Sequence, residues 1–136
     1  MSGGSVEWRL GVRTLLHAGA STGATQLCFM EQWCEPGAGA PTHTHFEVEE
    51  AIAVLEGVAE FWIDGAHSRV AAGETILLPP HSRHGFTNAG EGILHTVAVF
   101  GAAAPPVEYE EEPGVVYEVG GVGEQMRDPH RAVRPS

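Results

Sequence analysis

Four side chains in this sequence have the types and the spacing to hold a divalent cation: His43, His45, Glu50 and, thirty-four residues after Glu50, His84. His43 and His45 are two residues apart, and residues two apart on a strand face the same side. Both imidazoles then reach one ion. Glu50 follows a short break at Phe46, Glu47 and Val48, where a local irregularity returns its carboxylate to the side of the histidines and supplies a hard oxygen ligand. His84 follows the apolar run Thr75–Leu78 and the turn at Pro79 and Pro80, which makes it the fourth ligand candidate. Three neutral nitrogen ligands and one anionic oxygen leave a divalent first-row ion with net positive charge and open positions, so that it binds and polarises water, O₂ or a substrate. Fe(II), Mn(II), Ni(II), Co(II) and Zn(II) all suit such a set. Taken singly, each histidine reads as a polar strand or loop residue; it is the set that points to a metal.

Other chemistry-bearing residues stand around this frame. His95 lies in the apolar run Ile93–Phe100, and with inward parity it serves as a general base or as a hydrogen-bonding support for a ligand; otherwise it is a histidine satisfied within the packing. Arg83, beside His84, and Arg69 suit bidentate pairing with a substrate carboxylate, or else simply lie at the surface. Phe29, Trp33, Phe46, Trp62 and Phe86 fit core packing as well as substrate stacking. Asn88 suits a turn. His17, His67, His81 and His130 sit in no motif. The seven basic residues are all arginine, which excludes lysine Schiff-base chemistry and a phosphate-loop lysine. Any electrophilic work falls to a metal.

The elements that must position these groups read as short strands. Strands are expected at Arg13–His17, Gln26–Cys34, Glu50–Leu55, Ala59–Ile63, His67–Ala71, Thr75–Leu78, His84–Thr87 and Ile93–Phe100, with Asp64-Gly65 as a hairpin turn and Gly57 ending the Glu50 strand. Eighteen glycines and nine prolines punctuate them, and no segment reads as a long amphipathic helix. Eight or so strands at this spacing indicate an all-β jelly-roll β-barrel, an antiparallel double sheet whose interior holds one ligand. Cys28 and Cys34 fall at separated points of one expected strand, about 20 Å apart at the usual rise, too far for a disulfide, and are expected as reduced, packed thiols.

The two segments resemble the paired motifs of the cupin superfamily. The first is Gly37, five residues, His43-Thr-His45, four residues, Glu50, six residues, Gly57; the second is Gly73, five residues, Pro79-Pro-His81, two residues, His84, three residues, Asn88. His81 stands where the superfamily usually has glycine. If that position requires positive φ, histidine is accommodated there less easily than glycine. Either three or four residues are allowed before the glutamate, and Glu50 rather than Glu49 keeps the six-residue spacing to Gly57. The resemblance covers roughly residues 26 to 100. It implies a jelly-roll barrel, a metal held by His43, His45, Glu50 and His84, and a homodimer acting on a small organic molecule. By analogy, oxygenation with Fe(II) stands first, followed by redox-neutral isomerisation, cyclisation or lyase chemistry. The reading from another class is a metal-containing sugar or effector binding module without turnover.

A chain of 136 residues fits one folded domain. Residues 1 to 12 read as a leader or edge strand, 13 to 101 as the barrel, and 102 to 136 as an acidic tail rich in proline and glycine, entered at Pro105 and Pro106. Within that tail, Val115–Val119 suits an added edge strand or a crossing to a second subunit. The formal net charge of −11 repels phosphate-rich partners and argues against nucleic-acid binding. Apolar stretches fall well short of the roughly 20 residues a membrane span needs. The N-terminal residues have no basic region ahead of an apolar one. On these grounds the chain reads as soluble and cytoplasmic.

Overall fold

The computed structural model describes residues 5–120 and 132–135; the first four residues of the expected leader, and His130, lie outside them. The chain forms strands β1 (Val6–Arg9), β2 (Val12–Ala18), β3 (Cys28–Cys34), β4 (Gly39–Thr44), β5 (Glu50–Glu56), β6 (Val58–Ile63), β7 (Ala66–Ala71), β8 (Thr75–Leu78), β9 (His84–Asn88), β10 (Leu94–Phe100), β11 (Pro106–Tyr109), β12 (Val115–Glu118) and β13 (Ala132–Pro135). A 3₁₀ turn at Ala20–Thr22 is the one helical element among the described residues. Two sheets face each other, one ordered β1-β2-β3-β10-β5-β8 and the other β13-β12-β11-β4-β9-β6-β7. Neighbouring strands pair antiparallel throughout. This is the jelly-roll architecture read from the strand pattern.

Period-two burial builds the core between the sheets. In β3 the buried residues are Cys28, Met30, Gln32 and Cys34, and in β10 they are Leu94, Thr96, Ala98 and Phe100. Phe61, Phe86 and Val107 close the space from the opposite sheet. Cys28 and Cys34 end the same strand, both buried and both free, and burial pushes each thiol up to about 12. Such thiols stay protonated and inert.

Two glycines set the approach of the site strands. A Cβ on Gly39 would sit 2.0 Å from the Phe86 carbonyl oxygen, so only glycine lets β4 press against β9. Gly57 has φ of 89° and turns β5 into β6 against the backbone of Ile93 and Leu94. The hairpin at Asp64-Gly65, with φ of 48° and 87°, joins Ile63 to Ala66 in register, as a two-residue turn of this kind demands.

Residues 6–9, within the stretch read as leader or edge strand, form β1 at the edge of the first sheet, and residues 39–44, outside the expected strands, form β4. The segment read as an acidic tail instead adds β11 to the second sheet beside β4, with Val107 and Tyr109 buried and Glu108 and Glu110 outside that core. The proline and acidic residues masked a four-residue strand whose alternate positions are apolar. Val115–Glu118 then adds β12 at its side.

Candidate metal centre

β4 delivers His43 and, one residue past its end, His45. Cross-strand pairing sets His43 directly opposite His84, the first residue of β9. Between His45 and Glu50 the chain turns through Phe46 and Glu47, the latter at φ of 63°, and re-enters as β5 with Glu50 as its first residue. The irregularity expected between the histidines and the carboxylate is therefore present. His81, at φ of 66°, occupies the left-handed conformation that glycine adopts at no steric cost. Its backbone N–H donates to the His45 carbonyl at 3.0 Å, tying the turn before His84 to the end of the His43–His45 segment.

The four side chains converge. One ligand atom from each of His43, His45, Glu50 and His84 lies within 4.8 Å of all the others, and all four residues are buried. The His43 ring lies 4.4 Å from that of His84 and 5.0 Å from that of His45, centroid to centroid. Glu50 Oε1 stands 3.3 Å from His45 Nε2 and 3.6 Å from His84 Nε2. Glu49, the rival ligand, is exposed.

Backbone carbonyls fix the rings. His43 Nδ1 faces the Pro41 carbonyl at 2.6 Å, His45 Nδ1 the Pro106 carbonyl at 3.0 Å, and His84 Nδ1 the Ser82 carbonyl at 3.1 Å. A carbonyl oxygen only accepts, so each Nδ1 carries the proton and each Nε2 turns a lone pair inward. Three inward lone pairs facing a carboxylate repel one another unless a cation stands among them. Glu50 Oε1 and His84 Nε2 are both buried without a hydrogen-bond partner, a costly arrangement in a protein interior. A divalent ion bound there would give both a partner, and the donor set of three imidazoles and one carboxylate fits a first-row metal.

Electrostatics point the same way. Burial, reinforced by the neighbouring His45 and His84, pushes the His43 imidazole well below 6.5 and keeps it neutral. Burial pushes the Glu50 carboxyl up, but the His45 and His84 rings beside it outweigh that and hold it below the usual carboxylate range. A neutral imidazole and an ionised carboxylate are the ligand forms.

The remaining sequence candidates lie elsewhere. His95 is on the outward parity of β10, whose inward residues are Leu94, Thr96, Ala98 and Phe100; it stacks on Trp33 at 5.1 Å and pairs with Glu31. Glu31 also takes His17 at 2.8 Å, and these two imidazoles hold its carboxyl below the usual range. Arg83 projects to the surface, paired with Glu110, while Asp64 accepts its backbone N–H; Arg69 pairs with Glu60 there too. Strand alternation explains His95, while Arg83, one residue before β9, is exposed beside the buried His84. Of the five aromatic candidates Phe29, Trp33, Phe46, Trp62 and Phe86, Phe86 alone reaches the cavity. Asn88 holds its turn through Cys34 and Gly92 carbonyls and the Gly90 N–H.

The cavity at the four side chains measures about 20 Å³ and is walled also by Trp8, Gln32, Thr96 and Tyr109. Trp8, Tyr109 and the Pro106 carbonyl come from β1 and β11, which sequence reading placed outside the barrel. Val107 and Tyr109, alternate apolar residues after Pro106, were the signal available for β11.

Comparison with known proteins agrees with this geometry. A protein from Methanocaldococcus jannaschii, uncharacterized protein MJ1618, is 29% identical over 100 residues, covering 74% of this chain and 77% of its own. The polyketide cyclase RemF from Streptomyces resistomycificus superposes with a TM-score of 0.67 at 24% identity, over 78% of each chain. A sugar phosphate isomerase of the cupin superfamily from Silicibacter pomeroyi gives 0.65 at 21%, over 80% of this chain and 71% of that one. Recombinant oxalate oxidase in complex with glycolate gives 0.63 at 21% over 73% of this chain, which spans only 55% of the oxidase. The cupin domain family matches residues 31–100, the stretch that holds all four converging side chains. The chain belongs to the cupin domain family.

Proposed function

We propose that this cupin is a metal-dependent enzyme that binds one divalent ion through His43, His45, Glu50 and His84 and oxygenates a small organic molecule, with Fe(II) as the working metal. The observation that carries the reading is the inward convergence of three Nε2 lone pairs on the Glu50 carboxylate, with two of these buried atoms lacking any other partner. When bound, Fe(II) supplies open positions at which substrate and O₂ meet.

The chain's own residues do the rest. The Pro41, Pro106 and Ser82 carbonyls hold the three rings in the tautomer that binds metal. Phe86, Phe100, Ile52 and Ala98 wall the cavity with apolar surface and keep bulk water away, which strengthens electrostatic interactions inside. The four ligand candidates are the only carboxylates or imidazoles on that wall. Apart from these four, the wall carries one further proton-transfer group, the Tyr109 phenol; oxygenation asks less of that single group than an isomerisation that needs both an acid and a base. Oxidase chemistry in a similarly folded protein, oxalate oxidase, is consistent with this choice.

Oxygen uptake by Fe(II)-loaded protein over a panel of small phenols, diketones and thiols tests the reading. Uptake with at least one class, abolished in His84→Ala, is the expected result. No uptake, with ligand-dependent thermal shifts, would instead mark a binding module or a redox-neutral enzyme.

The working unit in this reading is a cytoplasmic homodimer. Leu77, Ala51 and Val99 follow one another in register across the outer face of the first sheet, and Leu77 and Val99 are 55% and 40% exposed, apolar surface that a second copy would cover. Light scattering that returns 14.4 kDa rather than twice that mass would remove the dimer.

A further inference from the structure

The cavity wall carries a second polar set that metal binding leaves unused. Gln32 on β3 pairs in register with Thr14 on β2 and with Thr96 on β10, so the three side chains form one cross-strand row facing the barrel interior. Their exposures are 6%, 1% and 2%. Gln32 and Thr96 line the cavity that holds the four converging side chains. Gln32 Nε2 faces the Met30 sulfur at 3.9 Å, a weak acceptor. Its Oε1 is buried with no hydrogen-bond partner, and so is Thr14 Oγ1.

A buried amide oxygen without a donor is costly, whereas an apolar residue of the same length would fill this position without that cost. The unpaired acceptor therefore points to a ligand that brings the donor. A carboxylate or phosphate oxygen set against Gln32 Oε1 would meet like partial charge; a hydroxyl group would satisfy it. The cavity of about 20 Å³ has room for about one or two water-sized groups. The hydroxyl must then sit close to whatever group reaches the metal.

Resting on the metal-site reading above, we propose that Gln32 is the specificity-determining residue of this site. Its Oε1 accepts a hydrogen bond from a small ligand that carries a hydroxyl beside a metal-binding oxygen, as in a hydroxy acid or hydroxy ketone. Thr96 stands next to it in the row and confines the hydroxyl. This differs from a structural role, in which Gln32 would support the sheet and its replacement would weaken the fold.

The test compares two probes that differ by one hydroxyl, glycolate and acetate, titrated into Co(II)-loaded protein and followed by the cobalt visible spectrum and by calorimetry. Wild-type protein is expected to bind glycolate about 3- to 10-fold more tightly than acetate, the worth of one neutral hydrogen bond. Gln32→Met is expected to bind the same amount of cobalt, to melt no lower than wild type because a buried unpaired amide is gone, and to bind the two probes alike. Equal affinities in wild type, a glycolate preference that survives in Gln32→Met, or a Gln32→Met chain that fails to fold would each overturn the proposal. Failure of the wild-type chain to take up cobalt overturns the metal reading instead, and is seen before any probe is added.

Discussion

At the residue scale, the site depends on protons held away from it. Each imidazole gives its Nδ1 proton to a backbone carbonyl, and backbone carbonyls do not move with side-chain rotamers, so the inward Nε2 lone pairs are fixed before a metal arrives. His43 and His45 were legible as a pair because their spacing matches the strand period. Glu50 was legible because a break before it returns parity to the inner face. His95 was not, because a histidine in an apolar strand gives no sign of which face it takes until the register of Thr96 and Phe100 is known. His81 shows the opposite case: a single departure from the superfamily pattern marks real strain, for its φ of 66° costs a residue with a Cβ about 1 kcal/mol. His81→Gly should therefore stabilise the protein by up to about 1 kcal/mol, read as a rise in the denaturation midpoint; a fall would mean that its contact with Glu47 at 2.9 Å outweighs the backbone.

At the element scale, β11 links the end of the chain to the site. It pairs with β4 at Tyr109↔His43, its Pro106 carbonyl fixes His45, and Tyr109 stands 5.2 Å from the His43 ring. Nothing in composition distinguished this strand from the acidic, proline-rich stretch around it, because four residues with two apolar positions give too short a period to read. β5, β6 and β10, by contrast, were legible because their alternation runs over six or seven residues. Val107 is fully buried and anchors β11. Val107→Asp places a charge there that cannot be paired, so β11 should lift from β4 and metal affinity should fall by about 10- to 100-fold in a competition titration against a chelator. Amides of β3 and β10 should stay protected from hydrogen exchange. Unchanged affinity would mean that the Pro106 carbonyl does not orient His45.

At the scale of the whole molecule, a small barrel closes around one polar point. Two antiparallel sheets bury mostly apolar side chains between them, and most of the buried polar residues belong to the four converging residues and the Gln32 row. Among the described residues no helix is long and apolar enough to cross a membrane. The net charge is −11, and among the described residues the one buried carboxylate is Glu50. Burying Glu50 beside three imidazoles is stable only if positive charge joins them. The most direct measurement is the metal content of protein purified without chelator, by mass spectrometry, for wild type and His84→Ala side by side. Wild type should carry about one divalent first-row ion per chain and the variant less than about a tenth of that. Wild-type protein that stays metal-free when offered Fe(II), Mn(II), Co(II), Ni(II) and Zn(II) in turn, or a His84→Ala variant that retains a full ion, would contradict the metal centre and the activity built on it.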